Sequence, residues 1–200
     1  MSAIVKIKKE DLVKGAIKII RDKGEYELSA RNLAKVVGCS TQPIFRLFKN
    51  MDDLKNTVYD DVYEIQNKFI SNGKDHQIPF IGIGLSYIEF ASKEKNLFKF
   101  LFMSSSSKNN NILEMAETDS GKNYIDMIKK STGLSEESSK QIYIYTWLII
   151  HGIASMIATT NSKLDSKEIE TIIFDAFKGY RQTLMNKELN NKYKKNIESA

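Results

Sequence analysis

One cysteine, two prolines and two histidines in 200 residues remove several classes of protein at the outset. Cys39 alone excludes an intramolecular disulfide. It stands beside Gly38, where a small packed thiol and a redox sensor are the two readings. His76, His151 and Cys39 lie far apart with no paired ligand spacing, so no metal centre is expected. There is no glycine-rich phosphate loop, no clustered zinc-ligand motif, no Gly-x-Ser-x-Gly elbow and no evident acid–base pair of carboxylates. An enzyme is therefore not expected, and no cofactor is implied. Residues 1–12 lack the apolar centre of a secretory signal. The strongest apolar run, residues 143–158, is interrupted by His151 and Gly152 and reads as too short to cross a bilayer. No membrane partner is expected, and the cytoplasm is the expected location.

What is present is helical. A hydrophobic content of 42% with so few prolines suits a globular, all-α chain large enough to bury a substantial core. Charge is unevenly placed. Residues 1–55 hold 12 basic and seven acidic side chains, and the other 145 hold 18 of each, so the net +5 resides in the first quarter. A basic head on a neutral body suits contact with phosphates; a solvated lysine-rich surface is the plainer alternative.

The most informative stretch is residues 28–54. Leu33, Ala34 and Val37 give a short helix one apolar face, and Gly38 permits the left-handed backbone that ends it. Ser40 is expected to cap the next helix, whose inward face is Ile44, Leu47 and Phe48. Thr41, Gln42 and Arg46 point outward, and Asn50 or Asp52 caps the helix that follows. A short helix gripped by apolar residues and showing small polar groups and an arginine fits a DNA major groove. This is a helix-turn-helix pattern.

Around it, residues 9–23 form an amphipathic helix through Leu12, Ala16, Ile19 and Ile20, ended by Gly24. Tyr26, Leu28 and Phe48 are expected in the core of this three-helix head. A longer helix over 52–70 carries Leu54, Val58, Val62, Ile65 and Phe69 inward and links head to body. Pro79 opens a helix to about residue 94; residues 96–103 are short and strongly apolar. Residues 104–111 read as a mobile loop. One helix is expected over 112–131, with Gly121 a possible interruption. Two long helices close the chain, capped by Ser135 and by an Asp165/Glu168 capping box, and the last residues read as a fraying end. The total is about nine helices, with no strand and no internal repeat.

Leu33-Ala34, Gly38-Cys39-Ser40, Ile44-Phe45, Phe48 and Leu54, with Gly24 before them and Trp147 and His151-Gly152 far downstream, resemble the pattern of TetR-family transcriptional regulators over the whole chain. The resemblance implies an all-α homodimer with a helix-turn-helix DNA-binding domain at residues 1–50. It implies a larger helical ligand-binding and dimerisation domain at 51–200, paired with its copy through the last two long helices. Its implied partners are a double-stranded, near-palindromic DNA operator and a small-molecule inducer of unknown identity that releases a repressor; an activator would carry the same features.

Carried over by position, Arg31, Thr41, Gln42 and Phe45 are the expected DNA contacts, and Ser29, Ser40, Arg46 and Lys49 complete the expected DNA-binding set. Phe45 stands where the family commonly has a tyrosine that touches a phosphate; it keeps the packing and offers apolar contact to a sugar or thymine methyl instead. Met51 stands at a place that is often lysine, with Lys49 and Lys55 nearby as substitutes. Arg46 is either a base or phosphate contact or a plain exposed charge. Tyr87, Phe90, Phe98, Phe102, Tyr124, Met127, Tyr143, Trp147 and His151 are the ligand-binding candidates, and such a lining favours a bulky, mostly apolar molecule. Ordinary core is the competing reading of the same residues. The rival to the whole account is a helical protein-interaction module of the same fold that has lost specific DNA binding.

Overall fold

The computed structural model describes residues 7–104, 107–108, 111–160 and 164–198, without the side chains of 193 and 195–198. Of the loop expected to be mobile over 104–111, residues 105, 106, 109 and 110 lie outside the described residues. Ten α-helices and no strand occur among the described residues: α1 (Lys9–Lys23), α2 (Ala30–Val37), α3 (Gln42–Leu47), α4 (Met51–Ser71), α5 (Pro79–Lys93), α6 (Lys95–Phe102), α7 (Ile112–Glu117), α8 (Asp119–Thr132), α9 (Glu136–Thr159) and α10 (Ser166–Glu198). The chain forms two compact units, one of residues 1–68 with 90–110 and one of residues 69–89 with 111–200. The unit boundaries fall after residues 68, 89 and 110, so α6 and most of α4 lie in the same unit as the first three helices.

In the first unit, Leu12, Ala16 and Ile20 of α1 are wholly buried, as are Leu33 of α2, Ile44 of α3 and Leu54, Val58 and Val62 of α4. The buried line of α4 continues through Gln66, while Ile65 and Phe69, expected inside, are only half-buried. Steps of four residues from Leu54 reach Gln66, and that spacing decides which face turns in. Tyr26 is also corrected: it is fully exposed, whereas Leu28 and Phe48 are buried as expected. A 3-10 turn at Glu25–Glu27 swings Leu28 inward and leaves Tyr26 outside. The strongly apolar α6 buries Leu97, Phe98, Phe100 and Leu101. Asn96 at its start donates to the Arg21 carbonyl at 2.9 Å, satisfying one of the orphan carbonyls at the end of α1. Arg21 pairs with Glu94 at 2.9 Å.

In the second unit, the single helix expected over 112–131 is two. Thr118 ends α7 and caps α8, its hydroxyl accepting from the Gly121 N–H at 3.1 Å. Gly121 sits in the first turn of α8, where a Cβ would lie 2.1 Å from the Met115 carbonyl oxygen. The glycine therefore marks a close approach at the start of a helix rather than a gap within one. Ser135 caps α9 by accepting from the Ser138 N–H at 3.2 Å. The Asp165/Glu168 capping box forms as expected, with Glu168 N–H to Asp165 at 2.8 Å and Asp165 N–H to Glu168 at 2.9 Å. The end read as fraying continues α10 as far as Glu198.

Contrary to the sequence expectation, α9 is long and apolar enough to cross a membrane, with a mean hydropathy of 1.5 over its best 18 residues. His151 and Gly152 dilute the run without lowering its average enough to exclude it. The helix packs against α8 and α10, as a core helix does.

Candidate nucleic-acid interface

The helix-turn-helix is assembled from local hydrogen bonds and buried anchors on both of its helices. Ser29 caps α2, its hydroxyl accepting from the Asn32 N–H at 3.2 Å. The Asn32 amide in turn donates to the Glu27 carbonyl at 2.8 Å, which fixes the entry to the helix. Leu33 and Ala34 anchor α2. Gly38 ends it at φ +75°, a left-handed conformation that glycine adopts without a Cβ clash, and the Cys39 N–H returns to the Ala34 carbonyl at 2.9 Å.

The cap of α3 is Thr41 rather than Ser40. Thr41 is already in the right-handed helical region and makes no side-chain capping bond, while its carbonyl accepts from the Ile44 N–H at 3.1 Å. Pro43 supplies the missing order: in the first turn its fixed φ suits the helix and its absent N–H is no loss. Sequence reasoning overlooked Pro43, although a proline in that place is itself a start signal. Ile44 and Phe48 bury α3 on one side, and the Lys9 ammonium lies 4.9 Å from the Phe48 ring centroid. Asn50 caps α4, accepting from the Asp53 N–H at 2.8 Å, and Asp53 reaches back to the Lys49 N–H at 2.9 Å.

Ser29, Arg31, Ser40, Thr41, Gln42, Phe45, Arg46 and Lys49 are all exposed. Ser40, Gln42, Phe45 and Arg46, joined by Pro43, line one shallow depression on α3. Ser29 spends its acceptor on the α2 cap and keeps its hydroxyl proton. Lys55 is not a substitute for the lysine missing at Met51: its ammonium pairs with Glu25 at 2.9 Å, with both side chains largely covered. The pair joins residues 30 apart, a distance no local pattern reveals.

The ligand-binding candidates fall into separate clusters. In the first unit, Phe90 and Phe98 are wholly buried, with ring centroids 6.4 Å apart, and Phe98 lies 5.0 Å from Phe102. In the second unit the Tyr87 hydroxyl meets His151 Nδ1 at 2.8 Å. The Trp147 ring stacks on the His151 imidazole at 4.6 Å, 7° from parallel. Burial holds the His151 pKa below its ordinary value of 6.5, since an imidazolium loses hydration there. Tyr124 stacks on Tyr143 at 6.2 Å, and Met127 is half-buried on α8.

No protein-family model matches the sequence, and neither does any curated protein. Solved structures do match. A TetR family protein from Vibrio parahaemolyticus aligns with a TM-score of 0.58 at 17% identity, over 86% of this chain and 98% of that one. A transcriptional regulator from Rhodococcus sp. Rha1 gives 0.54 at 12% identity, over 90% and 97%. A TetR transcriptional regulator from Rhodococcus sp. RHA1 gives 0.51 at 12% identity, over 88% and 97%. The fold is therefore one shared with solved TetR-family proteins, over 86–90% of this chain.

Proposed function

We propose that this chain is a TetR-type DNA-binding transcriptional regulator, a cytoplasmic homodimeric repressor of a near-palindromic operator that a small, mostly apolar ligand releases. The observation that carries this reading is the face of the helix-turn-helix. All eight side chains expected to contact DNA stand exposed, four of them around one depression on α3, in the quarter of the chain that holds the whole net charge of +5. Residues 1–50 serve as the DNA-binding domain and 51–200 as the ligand-binding and dimerisation domain.

Dimerisation draws support from the last two long helices. Tyr145, Leu148 and Met156 of α9 are large apolar side chains exposed between 41% and 52%, as Ile172 and Leu189 are on α10. Gly152 and Gly179 lie on the same helices with open space where a Cβ would stand, so backbones can approach closely. An apolar stripe of this kind calls for a covering surface, and a second copy provides one with twofold symmetry. Two copies of α3 would then meet successive major grooves about 34 Å apart.

For the ligand, the Tyr87–His151 pair and the buried Thr146 hydroxyl, which has no hydrogen-bond partner among the described residues, offer polar groups amid aromatic walls. Release requires the ligand to favour the DNA-incompetent arrangement, and DNA must then weaken ligand binding by the same factor.

The test is selection of random-sequence duplexes by the full chain, followed by a salt titration on the winner. A near-palindrome is expected. If Arg31, Arg46 and Lys49 of both copies reach phosphates, log K falls against log salt with a slope of about −5. Failure to enrich any sequence at low salt favours the interaction-module reading.

A further inference from the structure

The geometry points to a reader of the pyrimidine 5-methyl group on α3: the apolar wall built by Pro43 and Phe45 receives a thymine methyl in the major groove. This rests on the DNA-binding reading above and adds which feature of the base is read. Phe45 is 53% exposed. It is not a core residue placed at the surface, because Ile44 and Phe48 already fill the inward side of α3 at 0% and 2% exposure. It has no hydroxyl, so it gives a phosphate no hydrogen bond. Pro43, partly exposed in the first turn, has no N–H and presents only ring carbons. These two apolar surfaces share one depression with Gln42, Arg46 and Ser40.

In the major groove every base edge offers hydrogen-bond donors or acceptors, and the one alkyl group is the thymine C5 methyl. An exposed phenyl ring costs free energy in water and recovers it only against an apolar surface. Gln42, on the same helix, supplies the hydrogen-bonding part of recognition. The operator should therefore carry, in each half-site, a thymine whose methyl matters as much as its pairing.

The experiment starts from the duplex selected by the full chain and replaces each thymine in turn by deoxyuridine, which keeps the adenine pair and removes the methyl. Affinity is read by fluorescence anisotropy. One thymine per half-site should weaken binding about fourfold on replacement, and about sixteenfold when both half-sites are changed, the worth of one buried methyl each. Phe45→Ala should still bind more weakly yet no longer distinguish thymine from deoxyuridine at that place. If Phe45→Ala binds nothing, Phe45→Leu takes its place and should retain the discrimination.

Specific binding with every thymine indifferent to deoxyuridine overturns the inference and leaves the regulatory reading standing. Full discrimination kept by both Phe45→Ala and Pro43→Ala overturns it as well. Enrichment of no duplex at all sinks both readings together, a result distinct from these.

Discussion

Replacing Ile44 with alanine removes the one buried side chain of the six-residue α3. A helix so short has no stability of its own in water, so its place depends on that anchor and on Phe48 behind it. Ile44 is 0% exposed, and truncation of such a side chain costs roughly 3 kcal/mol in lost burial plus the cavity left behind. For a chain of this size each kcal/mol moves the melting temperature by about 2–4 °C, so a fall of about 6–12 °C is expected. The recognition face should loosen with it, lowering DNA affinity about tenfold or more. Differential scanning fluorimetry and anisotropy on the selected duplex read the two effects. A melting temperature within about 2 °C of the parent, with affinity unchanged, would refute the view that Ile44 holds α3 in place.

Glu188 of α10 accepts from the Ser135 N–H at 3.0 Å and from the Ser135 and Ser138 hydroxyls at 2.5 Å, at the start of α9. Glu188→Ala should cost about 1 kcal/mol in urea denaturation at neutral pH. The Ser135 and Ser138 hydrogen bonds hold this carboxyl below its ordinary 4.5, so its contribution is present above that pH and is lost as pH falls through the lower folded value; a gap between variant and parent that stays constant down to pH 3 contradicts the assignment. His151 has the depressed value of a buried imidazole. The folded state then resists protonation that the unfolded chain accepts below about 6.5, and stability falls as pH drops from there towards the folded value. His151→Gln should flatten that part of the pH–stability profile, and an unaltered slope would remove His151 as its source. Asn96→Ala leaves the Arg21 carbonyl without its 2.9 Å donor and should lower stability by about 1 kcal/mol, read as a shifted urea midpoint at constant slope.

The parts of this molecule that were legible in its sequence are those set by local spacing. Leu33, Ala34 and Gly38 repeat at helical intervals and end in a residue made for a left-handed turn, so α2 and its terminus followed directly. The Asp165/Glu168 box is legible for the same reason. The cap of α3 was not, because Ser40 and Thr41 are chemically alike and only the backbone angles of Thr41 distinguish them. The break at Thr118 has a local signal, a threonine three residues before a small residue, but a glycine inside a helical run reads equally as a gap or as a close contact. Tyr26 and Gln66 show the limit of hydrophobicity as a guide, since which side of a 3-10 turn or of a long helix faces inward is settled by neighbours distant in sequence. The Arg21–Glu94 pair joins residues 73 apart, and no window along the chain contains both. The exposed set on the recognition face was reachable from the resemblance together with helical period, whereas the aromatic candidates were not sorted by either, because core and ligand wall use the same residues.

The central claim is that the exposed face of α2 and α3 binds DNA. It is tested most directly by titrating the selected duplex with the full chain and with the Arg31→Ala, Gln42→Ala double variant, while sedimentation velocity follows assembly. The account predicts specific binding by the parent, a loss of about a hundredfold or more in the variant, and the same sedimenting dimer for both. A variant that retains the parent's affinity and specificity would contradict it.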